Sequence, residues 1–563
     1  MTLRAALCDS SKLVLPQTGV SATSARLPID IRRFPWIRRL ASDYAFEFDK
    51  VADFFAGNPA EPSAWRDAIV RTQRHPRERD AIAAVLQAQQ RDRGAPPVAV
   101  AAAGRIRDPQ TVAVVTGQQA GLFGGPLFTL LKAITAMRLA ERVTAEHNVP
   151  AVAIFWIDAE DHDWDEVKSC GTLDADSNLV HLSVGNPPGA HEKPVARVTL
   201  DDSAEAAVAQ LATTLPPTEF TNSLIETLRS AYAPGVGMAQ AFGRWIEAVL
   251  GPRGLIVFDA ADPAAKPLVA GVFAHEIEHA GDTSRLALEA GAELQARGYH
   301  AQATPQENHV ALFHLNAGRE AIRRHEDHFD IGERKEAAPA LLAQVRSRPE
   351  EFSPNVLLRP IVQDTLFPTV CYVAGPNELA YLGQLKRVYA SFGVPMPLFQ
   401  QRASATLLDS NAMRFLTKNE VPLEALRQQD EAALNQLLEA KIPASVEAPL
   451  EDALRLLTER MEAVAQAVPQ IDPTLEKAAR STLSRMEEEL KKLHSKIIHA
   501  AKRQDETLRR QFKHAQAQAF PGGHPQEREI GFVYFLNRHG SGLIDRLCDE
   551  LSTEMGTHWV ITI

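Results

Sequence analysis

A short apolar run, a glycine-rich turn and an amphipathic helix form the clearest pattern of the chain, between Thr111 and Arg142. The β-branched run from Val112 to Val115 predicts a strand that is covered on both faces of a parallel sheet. Pro126 suits the first position of a helix, and apolar residues then recur at three- and four-residue spacing up to Met137. The pattern therefore predicts a strand, a turn and a helix that packs on the sheet.

Similar apolar runs recur along the chain, and glycine, acidic or polar residues follow them. The predicted strands are 149–157, 254–259, 369–373 and 395–399, and a hairpin is predicted from 299–303 and 310–315. A helix through Tyr381, Leu385 and Val388 is expected after the third of these strands, and a polar loop at 401–406 after the fourth. The order of elements predicts an α/β fold with a Rossmann-like parallel sheet as its core.

The two ends of the chain read as mostly helical. Seven apolar residues are expected to be buried anchors near the N-terminus: Phe34, Trp36, Tyr44, Phe46, Val51, Phe54 and Phe55. From Leu450 the apolar spacing changes to steps of three and four, in two runs separated by Pro469 and Pro473, which predicts an antiparallel helical pair or coiled coil. A helix from Gly542 and a strand over 559–563 are expected to close the chain.

These patterns divide the chain into seven predicted parts. They are an N-terminal, mostly helical cap (1–110), the first half of the core (111–170), an insertion (171–250), a core strand with a second insertion (251–350), the second half of the core (351–420), a helical coiled-coil domain (421–528) and a C-terminal segment that packs on the core (529–563).

Composition limits the function classes. Hydrophobic residues make up 45% and charged residues 23% of the 563, as in an ordinary globular protein, and no apolar run approaches the ~20 residues that cross a bilayer. The four cysteines (Cys8, Cys170, Cys371 and Cys548) have no CxxC spacing, and Cys371 reads as a core residue. We therefore expect a cytoplasmic protein with reduced thiols and no membrane partner.

Charge is unevenly distributed. The net charge of −11 disfavours a nucleic-acid partner, although residues 474–516 carry eleven Lys or Arg against six Asp or Glu. We interpret this basic stretch as the solvated face of a long helix.

The glycine-rich turn is a candidate anion site. Gly117, Gln118, Gln119, Gly124 and Gly125 precede the predicted helix, and free amides at a helix start favour phosphate or carboxylate groups. The alternative is a tight connection without a ligand, since the turn matches neither GxGxxG nor a Walker A loop.

An acidic cluster follows the second predicted strand. Six carboxylates and His162 lie within the nine residues from Asp158 to Glu166. Acidic residues at a helix start would explain two or three of them. A carboxylate beside an imidazole can also orient a general base, and several carboxylates can hold Mg²⁺ on a nucleotide.

A second histidine motif lies in a predicted helix. His275-Glu276-Ile277-Glu278-His279 matches the HExxH pattern of zinc proteases, in which Glu276 would be the general base. The charged surroundings and the lack of a recognisable third ligand favour a surface helix instead.

Four stretches together resemble the bacillithiol-biosynthesis cysteine ligase family, BshC. They are VVTGQQAGLFGGPLF, FWIDAEDHDWDEV, NVLLRPIVQDTLFPTVCYVAGPNELAYLGQLK and FVYFLNRHGSGLIDRL. The resemblance covers most of the chain in order. It implies a class I synthetase-like Rossmann core interrupted by connective peptides, a C-terminal coiled-coil domain, a homodimer, and the addition of L-cysteine to glucosaminyl malate as the last biosynthetic step.

The resemblance also implies site residues. Gly124, Gly125 and Pro126 stand where class I synthetases carry HIGH, and 402–406 where they carry KMSKS, but neither signature is present. Joining cysteine to a malate or amino-sugar group in water needs an activated carboxylate, so we expect ATP as the cofactor, with Mg²⁺ as a candidate companion ion and no protein-bound metal.

Roles follow for the polar residues near the predicted turns. Glu160, Asp161, His162 and Asp163 are the candidate catalytic residues, which supply a base or a metal contact. The candidate substrate- or nucleotide-binding residues are Gly117, Gln118, Gln119, Gly124, Gly125, Pro126, Arg359, Gly375, Pro376, Asn377, Glu378, Gln384, Arg402 and Ser404. Two other functions stay open: a zinc hydrolase built on His275 and His279, and a noncatalytic nucleotide-binding adaptor that uses the coiled coil.

Overall fold

The computed structural model describes residues 26–316, 318–439, 444–504 and 506–563. Cys8 and the rest of the first 25 residues lie outside that part of the chain. The strands are β1 (Arg26–Asp30), β2 (Val112–Gln119), β3 (Ala151–Asp158), β4 (Ser169–Leu173), β5 (Leu179–Ser183), β6 (Ile256–Asp259), β7 (His309–Leu315), β8 (Arg319–Arg324), β9 (Phe329–Ile331), β10 (Arg334–Glu336), β11 (Phe352–Pro354), β12 (Thr369–Ala374), β13 (Leu398–Gln401), β14 (Ser404–Leu408) and β15 (Thr557–Thr562).

Helices connect and cover these strands. They are α1 (Arg39–Phe46), α2 (Pro62–Arg74), α3 (Arg79–Asp92), α4 (Pro97–Gly104), α5 (Leu127–His147), α6 (Trp164–Val167), α7 (Asp202–Thr214), α8 (Thr221–Ala231), α9 (Met238–Leu250), α10 (Ala270–Glu278), α11 (Asp282–Ala296), α12 (Ala338–Ser347), α13 (Arg359–Leu366), α14 (Leu379–Leu382), α15 (Lys386–Ser391), α16 (Ser410–Lys418), α17 (Ala432–Glu439), α18 (Ala444–Ala467), α19 (Leu475–Gln504), α20 (Glu506–Ala519), α21 (Gln526–Glu529), α22 (Phe532–His539) and α23 (Gly542–Glu550).

A five-stranded, all-parallel sheet in the order β13-β12-β2-β3-β6 forms the centre of the molecule. Alternate residues of its strands enter two different cores: Val114 and Phe155 pack with α5, whereas Val115 and Trp156 pack on the opposite side. Burial on both faces explains why these strands read as continuous apolar runs. The predicted α/β fold with a Rossmann-like parallel core is confirmed.

Two predicted segments around the second half of the core are wrong in detail. The polar stretch 401–406 is mostly strand rather than loop, because β14 pairs in parallel with β15 and forms a three-stranded sheet with it and β1. The helix expected through Tyr381 and Val388 is interrupted, with α14 and α15 on either side of Gly383 to Leu385. Partners that are distant in sequence decide the first feature, and local patterns do not reveal them.

The predicted hairpin is right in one of its two strands: 310–315 lies in β7, but 299–303 is not its partner. β7 pairs with β8, within a five-stranded sheet ordered β10-β9-β8-β7-β11, and residues 299–303 are not a strand. Gln384 holds this segment instead, since its side chain accepts from the amide of Ala303 at 2.9 Å and donates to the carbonyl oxygens of Ala303 and Ala287. The backbone amide and carbonyl oxygen of Ala303 therefore bond a side chain 81 residues away, and not a neighbouring strand as predicted.

The predicted antiparallel helical pair is confirmed. Thr458 Oγ1 of α18 lies 3.1 Å from Glu487 Oε1 of α19, and Arg480 approaches Glu462, so residue numbers rise along one helix as they fall along the other. α20 returns to the body of the protein, where Phe512 packs edge-on against Phe415 of α16. No described helix is long and apolar enough to cross a membrane.

Most of the predicted N-terminal anchors are buried. Phe46 is the clear exception, because 41% of it is exposed and its ring lies under the guanidinium of Arg32. Trp36 is half-buried, stacked on Phe34. Both rings cover other side chains at the surface rather than filling the core.

Candidate active site

The carboxyl ends of the parallel strands meet at one edge of the central sheet, and eight charged side chains collect near this edge. They are the carboxylates Asp158, Glu160, Asp161 and Glu378 and the cations Lys132, Lys266, Arg319 and Arg359. Because the two signs balance, the edge can hold charge below the surface without a large uncompensated desolvation cost. We call this set the charge network.

Lys132 and Glu378 connect the carboxyl end of β2 with the turn that follows β12. Lys132 Nζ lies 2.7 Å from Glu378 Oε1 and donates to the carbonyl oxygen of Gly117 at 2.8 Å and to Gln118 Oε1 at 3.2 Å. Glu378 Oε2 in turn accepts from the amide of Gly375 at 2.6 Å. Burial lowers the pKa of Lys132, while Glu378 opposes this shift. The pair thus fixes Gly117, Gln118, Gly375 and Glu378, all candidate binding residues, in one arrangement.

Asp158 faces Arg359 across the edge. Arg359 Nε lies 3.9 Å from Asp158 Oδ2, and its guanidinium stands over the rings of Trp156 and Tyr372 at 5.8 and 5.6 Å. Asp158 lies deep between the strand ends, so desolvation raises its pKa, although 36% of its side chain is open to the cleft. Arg359, which also bonds Gln363 and Tyr381, is placed to balance negative charge there.

The four candidate catalytic residues separate into a buried acid, two residues at the rim and a cap. Glu160 is buried in an ion pair with Lys266, and burial raises its pKa against the effect of that lysine. Asp163 accepts from the amide of Glu166 at 3.1 Å and caps α6. The helix-start explanation thus accounts for the position of Asp163, and an internal ion pair for that of Glu160.

Asp161 and His162 lie together at the rim of the charge network. Asp161 accepts from Gln119 Nε2 at 3.3 Å and from Arg319 Nη1 at 3.1 Å, and its Oδ1 is 3.2 Å from His162 Nδ1. The imidazole of His162 is 55% exposed. Asp161 Oδ1 also accepts from the backbone amide of His162 at 2.8 Å, so the imidazole lies beside the carboxylate without a well-directed hydrogen bond to it. Of the predicted quartet, these two residues are therefore the ones that bring a carboxylate next to an exposed imidazole.

The glycine-rich turn is closed by the C-terminal segment. Gly124 and Gly125 have φ values of +93° and +75°, and a Cβ on Gly124 would lie 2.3 Å from Phe532 Cε1. The amide of Gly124 bonds Gly121 and Tyr232, that of Gly125 bonds Leu122, and that of Leu127 at the start of α5 donates to the carbonyl oxygen of Ile530. The expectation of free amides is thus not met at these three positions, because backbone and side-chain partners already accept from them.

A cavity of about 300 Å³ opens beside this turn. Its lining includes Gln118, Gln119, Gly125, Pro126, Phe128, Glu166, Cys170, His181, Arg528 and Glu529. The guanidinium of Arg528 lies 5.8 Å from the Phe128 ring and has no ion-pair partner among the described residues. Arg528 is therefore the cation most available to an anionic ligand here.

A second cavity of about 300 Å³ lies beyond Arg528, between the central sheet and the three-stranded sheet. Its lining includes Pro376, Asn377, Arg402, Ser404, Arg528 and His558. Arg402 is already paired, since its guanidinium donates to both oxygens of Glu527 at 2.9 and 2.6 Å. Ser404 bonds the same carboxylate and His558. Arg402, a candidate binding residue, thus already has a buried counter-ion. Gln384, another candidate, holds residues 299–303 and lies outside both linings.

The HExxH histidines stand apart from this edge. His275 and His279 stack with ring centroids 4.1 Å apart, while Glu276 points inward to Thr283 and the amide of Ala311. Burial raises the pKa of Glu276 to about 7. Among the described residues no third metal-ligating side chain joins the two histidines. Glu276 and the histidines face different surroundings, which disfavours the zinc hydrolase.

Comparison with protein families covers nearly the whole chain. The model of the bacillithiol biosynthesis BshC N-terminal Rossmann-like domain matches residues 27–403, and that of the BshC C-terminal coiled-coil domain matches residues 405–563. The chain belongs to the bacillithiol biosynthesis BshC family. The resemblance seen in its motifs is thus confirmed.

Three relatives share the name "Putative cysteine ligase BshC". The protein of Salinibacter ruber is 33% identical over 98% of this chain and all of its own length, and that of Koribacter versatilis is 33% identical over 93% and 97%. The Chlorobaculum tepidum protein is 32% identical over 79% of this chain and 82% of its own. The similarity extends over both domains of the BshC family.

Four cations of this BshC family member were not predicted as site residues from the sequence: Lys132, Lys266, Arg319 and Arg528. Lys132 interrupts the apolar stripe of α5, and a lone lysine inside such a stripe could have indicated a buried partner. Arg319 and Arg528 lie in segments with no motif, and only the packing of β8 and α21 brings them to the sheet edge. No local signal distinguishes them from surface arginines.

Proposed function

We propose that this chain is a cysteine ligase that joins L-cysteine to glucosaminyl malate, with ATP as cofactor, in the last step of bacillithiol biosynthesis in the cytoplasm. The observation that carries the proposal is the match of both BshC domains, which together span residues 27–563, and of relatives named as cysteine ligases over full length. A rim-exposed carboxylate–imidazole pair and a free arginine beside a cavity support the chemistry.

The reaction would form an amide between the cysteine carboxyl carbon and the amine of the amino sugar. ATP, when bound, would supply a phosphate-containing leaving group on the cysteine carboxylate. The attacking amine must lose a proton as the C–N bond forms, and we propose that His162, which lies beside Asp161, accepts it. Loss of the leaving group then completes the amide, and Arg528 would balance negative charge on it or on the malate carboxylates.

The residues present fit a phosphate-bearing cofactor through side chains rather than through the glycine turn. The amides of Gly124, Gly125 and Leu127 already have acceptors, so they cannot cradle a phosphate without rearrangement. Arg528 lines both cavities and can meet a phosphate in bidentate geometry. Asp158 and Asp161, each with more than a third of its side chain exposed, are suitable oxygen ligands for an accompanying Mg²⁺.

We also propose a homodimer formed through α18 and α19. Several large apolar side chains of this helical pair are exposed: Val446, Leu456, Val464, Leu475, Met486 and Leu493. An apolar surface on an extended helical pair is a common site of association. A second copy of the chain is the partner that the heptad pattern favours.

The direct test is product analysis by mass spectrometry. Enzyme, cysteine, glucosaminyl malate and ATP should yield the mass of the amide, and omission of ATP should abolish it. Arg528→Ala should lower kcat/KM by about 10- to 100-fold if it contacts a substrate or phosphate charge, whereas Arg460→Ala, at an exposed position on α18, should leave it unchanged.

The same assay separates the ligase from a noncatalytic adaptor. An adaptor would bind ATP without consuming it when cysteine is added, and no amide would form. A ligase turns ATP over repeatedly only when cysteine and glucosaminyl malate are both present. ATP binding without any amide product would therefore overturn the proposed function.

A further inference from the structure

The turn between β8 and β9 brings together two histidines and an aspartate that play no part in the candidate active site. His325 Nε2 lies 2.7 Å from Asp330 Oδ2, and His328 Nε2 lies 3.1 Å from Asp330 Oδ1. One ligand atom from each of the three residues falls within 4.8 Å of the others. Within the described part of the chain this is the one group with such spacing.

The two imidazoles are arranged as a pair of ligands. Their rings stack with centroids 4.8 Å apart and an interplanar angle of 10°. Both Nε2 atoms contact the carboxylate of Asp330. Ligand atoms of a tetrahedral site, at ~2.0–2.2 Å from the metal, lie roughly 3.3–3.6 Å from one another. Side-chain movements of a fraction of an ångström to about one ångström would therefore bring the ligand atoms to the separations that a bound ion requires.

A fourth residue orients one of these ligands. His328 Nδ1 lies 2.6 Å from Asp327 Oδ1, within hydrogen-bonding distance. A carboxylate on the far nitrogen of a histidine leaves the other nitrogen's lone pair free for a metal and fixes the ring. His328 Nε2 and Asp330 Oδ1 are also shielded from solvent and lack a well-directed hydrogen bond among the described residues. Both atoms would gain a partner from a bound cation.

The backbone holds this turn in place. The amide of His325 donates to the carbonyl oxygen of His328 at 2.8 Å, and Arg324 pairs with the buried Phe329. The ligands therefore lie on a closed turn between paired strands, and little conformational entropy remains to be lost when an ion binds. The side chain of His325 is 43% exposed, which leaves a path for entry and a position for water.

We propose that His325, His328 and Asp330 bind one divalent transition-metal ion of the zinc class. Two imidazole nitrogens and one carboxylate oxygen suit Zn²⁺ or Co²⁺, whereas Mg²⁺ and Ca²⁺ prefer oxygen ligands alone. The site is separate from the charge network, since Arg319 and Arg324 are at opposite ends of β8, roughly 16 Å apart for an extended strand. The ion would act as a clamp on the turn of the β8–β9 hairpin.

The test uses untagged, full-length protein that has been stripped with a chelator and dialysed. Titration with Co²⁺, followed by visible d–d absorption, should show one equivalent bound, and Zn²⁺ should displace it. His325→Gln, the mildest change because this ligand is partly exposed, should weaken binding by about 100-fold or more, as should Asp330→Asn. Asp327→Asn should weaken it by ~10- to 100-fold, as expected when an orienting partner is lost.

The matched control is His275→Gln/His279→Gln, which removes the other stacked histidine pair of the described chain. Binding should be unchanged in this variant, and turnover should stay within about threefold of the parent enzyme. Thermal melts without metal should show that each variant is folded, and a given metal concentration should raise the melting temperature of the parent and the control more than that of the other variants. Absence of stoichiometric binding by the parent, or undiminished binding by folded His325→Gln and Asp330→Asn, would overturn the proposal.

Discussion

Asp161 and His162 lie at the rim of the charge network, beyond the end of β3. Substitutions there can therefore test the proposed proton transfer without disrupting the central sheet. We predict that His162→Ala and Asp161→Asn each lower single-turnover rates by ~10²- to 10⁴-fold, which is the usual contribution of a positioned base. The free energy of unfolding should fall by about 1 kcal/mol or less, because His162 is exposed and the one amide oxygen of the asparagine can still accept from Arg319.

Asp163→Asn is the control for this pair. Its carboxylate caps α6, and Asn is an equally good cap, so both the rate and the melting temperature should stay near those of the parent. Near-normal turnover of His162→Ala would rule out the proposed base, whatever its effect on stability.

The buried charge of Glu527 contributes to stability through its ion pair with Arg402. Burial works against its ionised form, but Arg402 and Ser404 outweigh burial and lower the pKa to about 2. Because the folded pKa lies below the unfolded one, the stabilisation is complete above pH ~4.5 and is lost as the pH falls towards 2. The full contribution corresponds to about 3 kcal/mol.

Glu527→Gln should therefore be destabilised strongly at pH 6, by roughly 3 to 5 kcal/mol, since it leaves Arg402 buried without its counter-ion. The gap in unfolding free energy between parent and variant should narrow by roughly 1.4 kcal/mol between pH 6 and pH 3.5. Urea unfolding at a series of pH values measures this, and a constant gap would show that Glu527 is not the titrating group.

At the scale of elements, the turn between β2 and α5 depends on the C-terminal segment. We predict that Gly124→Ala destabilises the protein by about 2 to 4 kcal/mol, because the residue has a φ of +93° and a Cβ would overlap Phe532 and Trp245. Thermal melting and limited proteolysis should both report it, with new cleavage after about residue 529 as the segment detaches.

Gly271→Ala is the matched glycine control. Gly271 is exposed on α10, and a Cβ there would meet nothing within 4 Å. Alanine favours the helix, so stability should be unchanged or rise by up to about 1 kcal/mol. Equal melting temperatures for the two variants would contradict the close packing assigned to Gly124.

At the scale of the molecule, the helical pair α18–α19 should decide the oligomeric state. Deletion of 447–520 is expected to give a monomer, but it also removes Leu508 and Phe512, which are part of a buried core. We therefore predict that the milder change Leu456→Glu/Leu493→Glu, at two exposed apolar positions, converts a dimer into a monomer.

Light scattering measures the mass of this variant directly. Arg460→Glu changes the charge at an exposed position of the same helix and should leave the dimer intact. An unchanged mass for the Leu456→Glu/Leu493→Glu protein would show that these side chains do not mediate association.

The sequence by itself determined the central sheet, the helix after β2 and the antiparallel helical pair. Each of these elements buries a continuous face, and such a face appears as a regular spacing of apolar residues within the segment itself. The pattern can therefore be recognised without knowing the partner of the element. It also placed Asp161 and His162 at the end of β3, since a strand's carboxyl end fixes where the next residues emerge.

The tertiary structure alone decided which charges meet. Ion pairs such as Glu160–Lys266 and Arg402–Glu527 join residues more than 100 positions apart, and pairing of β14 with β15 turned a polar stretch into a strand. It also packed the C-terminal segment against the glycine turn. It brought together His325, His328 and Asp330, which the sequence had not singled out, whereas the HExxH motif that the sequence did single out lies on α10. Hydrogen-bond and ion-pair partners are selected by distance in space, which a one-dimensional pattern does not contain.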